Sequence, residues 1–153
     1  MNNPRLVHLS TLLLITIFLF GCSSSKTSIE GKVYRSDSKQ PNENAHVAIF
    51  DSKVTFENLP SSDPIYETTT NSKGQYKFDN VVEGAYQILI SLPGSDPALS
   101  TCTKIPDPGL EWLFYSLSYD AVGNPDTIKY RTDKSFNIAA GENLSKDFSW
   151  TCK

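Results

Sequence analysis

From Ile29 onward no stretch keeps the spacing of an amphipathic helix, and short runs of alternating apolar and polar residues stand between polar, turn-rich segments. In Ile29-Glu30-Gly31-Lys32-Val33-Tyr34, Ile29, Gly31 and Val33 fall on one face and the charges on the other, which predicts a half-buried strand. Ser36 to Asn44 is polar, contains Pro41 and predicts a loop. Ala45-His46-Val47-Ala48-Ile49-Phe50 is almost continuously apolar and suits a central strand covered on both faces. Phe56 to Pro64, with two prolines and adjacent serines, predicts another surface loop. Glu67 to Thr70 and Gln75 to Phe78 flank Asn71-Ser72-Lys73-Gly74, which predicts a tight hairpin whose glycine takes positive φ. Glu83-Gly84 then turns into a strand on which Tyr86, Ile88, Ile90 and Leu92 share a face.

The C-terminal third continues the pattern. Trp112 to Tyr119 is aromatic and strand-like, Thr127 to Tyr130 predicts a further strand, and Phe136 and Ile138 precede a turn at Ala140-Gly141-Glu142. Leu144, Phe148, Trp150 and Cys152 share a parity along a closing strand that Lys146 interrupts. Roughly seven or eight short strands with regular turn signals predict an all-β antiparallel sandwich or barrel.

The N-terminus follows a different rule. Met1 to His8 holds one cation, Arg5, and no acid, and the run Leu12 to Phe20 stops at Gly21-Cys22. A positive segment, a short apolar segment and a small residue describe a secretory signal peptide. A membrane-spanning helix needs about 20 apolar residues, more than this run supplies. Leu19-Phe20-Gly21-Cys22 resembles the lipobox of bacterial lipoproteins. That resemblance implies diacylglycerol on the Cys22 sulfur, cleavage before it and acylation of the new amino terminus, since several acyl chains anchor where one holds only marginally. The alternative is an incidental thiol after an ordinary signal peptide. Residues 1–21 are thus expected to be removed, and 22–28, rich in serine, to form a lipidated cysteine and a flexible tether. Residues 29–153 would be the folded domain. Ser23 after the cysteine implies, by the rule of enteric-type bacteria, the outer membrane of the cell envelope, with the face undetermined.

Composition narrows the function. The chain of 153 residues carries 14 Lys+Arg against 17 Asp+Glu, a formal net charge of −3, so no basic footprint for nucleic acid is present. Two histidines and three cysteines leave little for a catalytic dyad or a zinc cluster. No glycine-rich phosphate loop, zinc helix motif or serine nucleophile elbow occurs, so no cofactor or metal is expected. Asp37, Asp51, Asp63 and Asp79 are scattered and build no calcium loop.

The middle of the chain resembles a family. Ile29-x-Gly31-x-Val33, Asn44-Ala45-x-Val47, Thr70-x-x-x-Gly74-x-Tyr76-x-Phe78 and Val82-x-Gly84-x-Tyr86 are similar, in order and spacing, to the carboxypeptidase regulatory-like domain. The resemblance implies a transthyretin-like (prealbumin-like) β-sandwich, and a structural or binding module without catalytic residues of its own. It spans residues 29–92 and fades across about 93–130, which reads as an aromatic insertion. The hydroxyisourate hydrolase relatives of this fold need His, Arg and a Tyr-Arg-Gly-Ser terminus, whereas this chain ends Ser149-Trp150-Thr151-Cys152-Lys153. In the similar B-type adhesin repeats a first-strand lysine forms an isopeptide bond, but Lys32 is out of phase with the buried positions and should face solvent.

Two further sites have competing readings. Cys102 and Cys152, in an exported chain, are disulfide candidates, against two free thiols. On the insertion, alternation puts Leu113, Tyr115, Leu117 and Tyr119 on one face and Trp112 and Phe114 on the other. Trp112, Tyr115 and Tyr119 are thereby candidates to stack on sugar rings or dock an envelope protein. The competing reading is an extra strand packed under loops.

Overall fold

The computed structural model describes residues 26–55, 57–100 and 102–153. Its strands are β1 (Ser28–Arg35), β2 (His46–Asp51), β3 (Tyr66–Thr69), β4 (Gln75–Asp79), β5 (Gly84–Pro93), β6 (Trp112–Tyr119), β7 (Pro125–Thr132), β8 (Phe136–Ile138), β9 (Asn143–Ser145) and β10 (Phe148–Trp150). A single helical turn at Pro97–Ser100 and a 3-10 turn at Leu59–Ser61 interrupt the β pattern.

The strands form two facing layers. In the small sheet β1 lies between β4 and the pair β9 and β10, which together act as one broken closing strand. The large sheet runs β3-β2-β5-β7-β6, with β8 on the lower half of β5 where β7 has left it. Counting β7 with β8 and β9 with β10 as broken strands gives eight strands in a sandwich, within the seven or eight that the strand and turn signals predict. The closing strand runs parallel to β1, the exception in an otherwise antiparallel structure.

Period-two patterning explains the core. Ile29 and Val33 of β1, Val47 and Ile49 of β2, Tyr76 and Phe78 of β4, and Tyr86, Ile88, Ile90 and Leu92 of β5 meet between the sheets with Phe148 and Trp150. On the outside of the large sheet Ala48, Phe50 and Leu89 make a second cluster under the 52–62 loop, closed by Leu59 and Val54. That cover is why the Ala45–Phe50 run has no polar alternation. The Tyr86 hydroxyl donates to the Val82 carbonyl four residues back at 2.7 Å, a tyrosine corner fixing the entry to β5.

Three expectations are corrected. Residues 67–78 do not form a hairpin within one sheet: β3 pairs with β2 and β4 with β1, so the 71–74 turn carries the chain across the sandwich. The turn closes locally, with Gly74 at φ 69 and its N–H on Asn71 O at 2.8 Å, and local turn chemistry cannot say which sheet each arm joins. The tether also ends earlier than residue 28. Thr27 and Ser28 are buried, and Thr27 bonds to the Gly141 and Val81 amides, so the fold begins there. Cys22 and the signal segment lie outside the described residues.

The third correction concerns β6. Its register slips between Phe114 and Ser116, a β-bulge at Tyr115, and again between Ser118 and Tyr119. The bulge inverts the parity: Tyr115 packs on the outer cluster around Leu89, whereas Leu117 joins the inner core. Strict alternation therefore fails, and Leu113, Tyr115, Leu117 and Tyr119 share no face.

Candidate functional site

The region after Leu92 is built on β6 and β7, which extend the large sheet beyond β5. Trp112 stands first on β6 and points inward, 5% exposed, with its ring edge-on to Phe148 at 5.0 Å. Phe114 follows on the same side, against Tyr130 at 5.9 Å, but keeps 41% of its surface in solvent because β6 is the sheet's edge. Tyr115 is half-buried on the outer face. Tyr119 is 61% exposed at the far end, over a hollow of about 280 Å³ lined by Leu99, Cys102, Ile105 and Leu117. Trp112, Tyr115 and Tyr119 thus occupy three separate environments.

The structure joins Cys102 to Cys152 with Cα atoms 5.3 Å apart. The bond fixes the segment after the helical turn against the end of β10. Around it, Asp107 and Thr151 exchange backbone hydrogen bonds, and Lys153 pairs with the Asp107 carboxylate at 2.5 Å. That lysine and the Gly109 amide hold the Asp107 carboxyl below the ordinary range.

The strongly displaced titrations are structural. Burial pushes the Tyr76 and Tyr130 phenols well above their usual range, with Asp147 and Asp107 respectively adding to the effect. Each hydroxyl donates to a backbone carbonyl, Tyr76 to Lys146 and Tyr130 to Pro106. Among the described residues no three His, Cys, Asp or Glu side chains gather where they could hold a metal ion. His46 faces Glu67 at 3.2 Å on the surface, and Lys32 is exposed as its parity predicts.

Sequence reasoning missed two surfaces. One is the outer edge of β6, which among the described strands pairs with β7 alone. Six of the eight exposed large hydrophobics among the described residues lie between Ile105 and Val122, on this strand and its flanks. None of the eight residues of β6 is charged, the visible signal for such an edge. The other is a polar trough on the outer face of the small sheet, of about 610 Å³, continued by a hollow of about 470 Å³. Lys32 and Asp147 line both.

The carboxypeptidase regulatory-like domain, as a family, matches residues 28–108. The chain belongs to that family. The match extends past Leu92 through the disulfide half-site at Cys102, further than the motif spacing alone reached. Among solved structures, an (S)-allantoin synthase is similar at 12% identity and a TM-score of 0.50, covering all of this chain and 55% of that one. A candidate carbohydrate binding protein from Pseudomonas aeruginosa is similar at 13% identity and a TM-score of 0.42, covering 86% and 93%. A shaft pilin from Lactobacillus rhamnosus GG has 9% identity and a TM-score of 0.38, covering 86% and 50%. At these identities the likeness is one of fold. No curated protein matches the chain.

Proposed function

We propose that this protein is a lipid-anchored module of the bacterial cell envelope, held by acylation of Cys22, whose β-sandwich binds a partner protein and carries out no catalysis. The observation that supports the docking role is the uncharged β6 edge with its surrounding exposed apolar side chains. An extended segment of an envelope protein can add to such an edge, pairing with its backbone for affinity and meeting Leu113, Phe114 and Tyr119 for selectivity. The Cys22 anchor rests on the Leu19-Phe20-Gly21-Cys22 sequence.

The test is crosslinking capture from native envelopes with the wild-type chain and with Leu113→Lys/Tyr119→Lys, two exposed positions where lysine is accommodated without loss of core. One envelope protein enriched by wild type and lost by the variant is the expected result. Equal capture by both would move the docking surface elsewhere on the sandwich. For the anchor, Cys22→Ala should shift the protein from membrane to soluble fraction, and unchanged membrane retention would remove the lipid from the proposal.

A further inference from the structure

We propose that the outer face of the small sheet holds an acidic oligosaccharide of uronate type, its carboxylates seated on Lys32, Lys39 and Lys73. These three lysines line the 470 Å³ hollow, and among the described residues none has a carboxylate ion-pair partner. Asp147 is the carboxylate lining that hollow, and its Oδ1 already accepts the Lys32 backbone N–H at 2.8 Å. In a chain with a net charge of −3, three lysines lining one hollow against a single carboxylate leave a local positive site suited to an anion.

The hollow is built by the backbone rather than by chance proximity of surface chains. Gly74 has no Cβ, and one placed there would run into the Val33 carbonyl and come within 3.0 Å of Pro41. This close approach sets the 71–74 turn against the 36–44 loop. The Val33 N–H binds Gly74 O at 2.8 Å and the Asn42 N–H binds Val33 O at 2.9 Å, pinning both loops to β1. Asn71 Oδ1 accepts the Lys73 and Gln75 amides, which fixes the backbone that presents Lys73. Lys39, at φ 57, places its ammonium 5.4 Å from the centre of the Tyr34 ring.

The ligand class follows from what adjoins the lysines. The 610 Å³ trough beyond Lys32 is too large for a lone inorganic anion, and the Thr69 hydroxyl and the Gln75 amide nitrogen offer neutral groups that match sugar hydroxyls. A nucleic acid fits less well. The Tyr34 face is covered by Lys39 and Tyr76 is buried, leaving no exposed ring in the lining for a base to stack on.

The experiment titrates the full chain, purified in an uncharged detergent, with hexagalacturonate, a neutral galactose hexasaccharide and a single-stranded DNA oligonucleotide of equal charge. The variant is Lys39→Gln/Lys73→Gln. The control, Lys53→Gln/Lys134→Gln, removes the same charge from exposed positions outside the hollow. Hexagalacturonate is expected to bind wild type and control alike, at least tenfold tighter than either other probe, and at least tenfold weaker to Lys39→Gln/Lys73→Gln. Equal loss in control and variant would show a non-specific charge effect and overturn the site. DNA binding as tightly as hexagalacturonate, equal binding of the neutral sugar, or no binding at millimolar probe would each overturn it too.

Discussion

Trp150 Nε1 donates a 2.7 Å hydrogen bond to Asn42 Oδ1 across 108 residues of sequence, and both side chains are 0% exposed. Asn42 also donates through Nδ2 to Asp96 at 2.7 Å, and its carbonyl accepts the Thr70 hydroxyl at 2.6 Å. The side-chain amide thus ties the 36–44 loop to β10 and to the segment after β5, while the backbone carbonyl of the same residue ties it to the end of β3. A buried polar group with every bond made is stabilising, whereas removing one partner leaves the other desolvated and unpaired. Asn42→Ala should therefore cost about 3 kcal/mol, read as a lower urea midpoint with unchanged slope. A loss under about 0.5 kcal/mol would show that water replaces the amide without cost.

Gly31 occupies a position where the obstacle is steric. A Cβ there would overlap the Lys146 carbonyl and lie 2.8 Å from Tyr76 Oη, because the break between β9 and β10 turns that carbonyl over β1. Gly31→Ala should destabilise by about 3 kcal/mol or more, since backbone must shift to admit the methyl. Gly109→Ala is the contrasting case. Nothing lies within 4 Å of its Cβ position, and only its φ of 84° opposes the change, so about 1 kcal/mol is expected. Thermal melts of both variants decide the comparison, and equal losses would contradict the steric reading.

The Cys102–Cys152 bond closes a separation of 50 residues. In the chain-entropy description such a loop contributes up to about 4 kcal/mol. The double variant Cys102→Ala/Cys152→Ala should lose a large part of that in equilibrium unfolding. Stability unchanged by the double variant would mean the segment from β5 to β6 is held by packing alone.

Both tryptophans of the chain, Trp112 and Trp150, are buried, at 5% and 0% exposure. Native fluorescence should be blue-shifted and almost insensitive to iodide, with full quenching only after unfolding. Strong quenching in the native state would place Trp112 on the surface and restore it as a stacking residue.

Alkaline stability follows from Tyr76 and Tyr130. Burial raises both phenols above the unfolded value near pH 10, so the native state keeps protons that the unfolded state releases. Their contribution is complete below about pH 10 and is lost as pH rises past it. Absorbance titration should show these two of the seven tyrosines ionising only together with unfolding, and free, gradual ionisation of all seven would contradict it.

The sandwich was legible because its signals are local. Period-two apolarity marks β1, β4 and β5 and an unbroken apolar run marks β2, and the buried parity of Tyr76, Phe78 and Tyr86 follows directly from the alternation. The face that alternation assigns to Leu113, Tyr115, Leu117 and Tyr119 fails because a bulge carries no compositional mark in Trp112-Leu113-Phe114-Tyr115-Ser116-Leu117-Ser118-Tyr119. One unpaired residue inverts every side chain beyond it.

By itself the sequence determined the strand content, the regulatory-like family pattern and the pair of cysteines available to bond, since these depend on residue types at short spacing. Tertiary structure alone decided which sheet each arm of the 71–74 turn joins and that the closing strand lies parallel to β1. It also decided that β6 ends the large sheet, and that Lys32, Lys39 and Lys73 line one hollow. These are relations between distant segments, set by how two twisted sheets share one core, and no local preference encodes them.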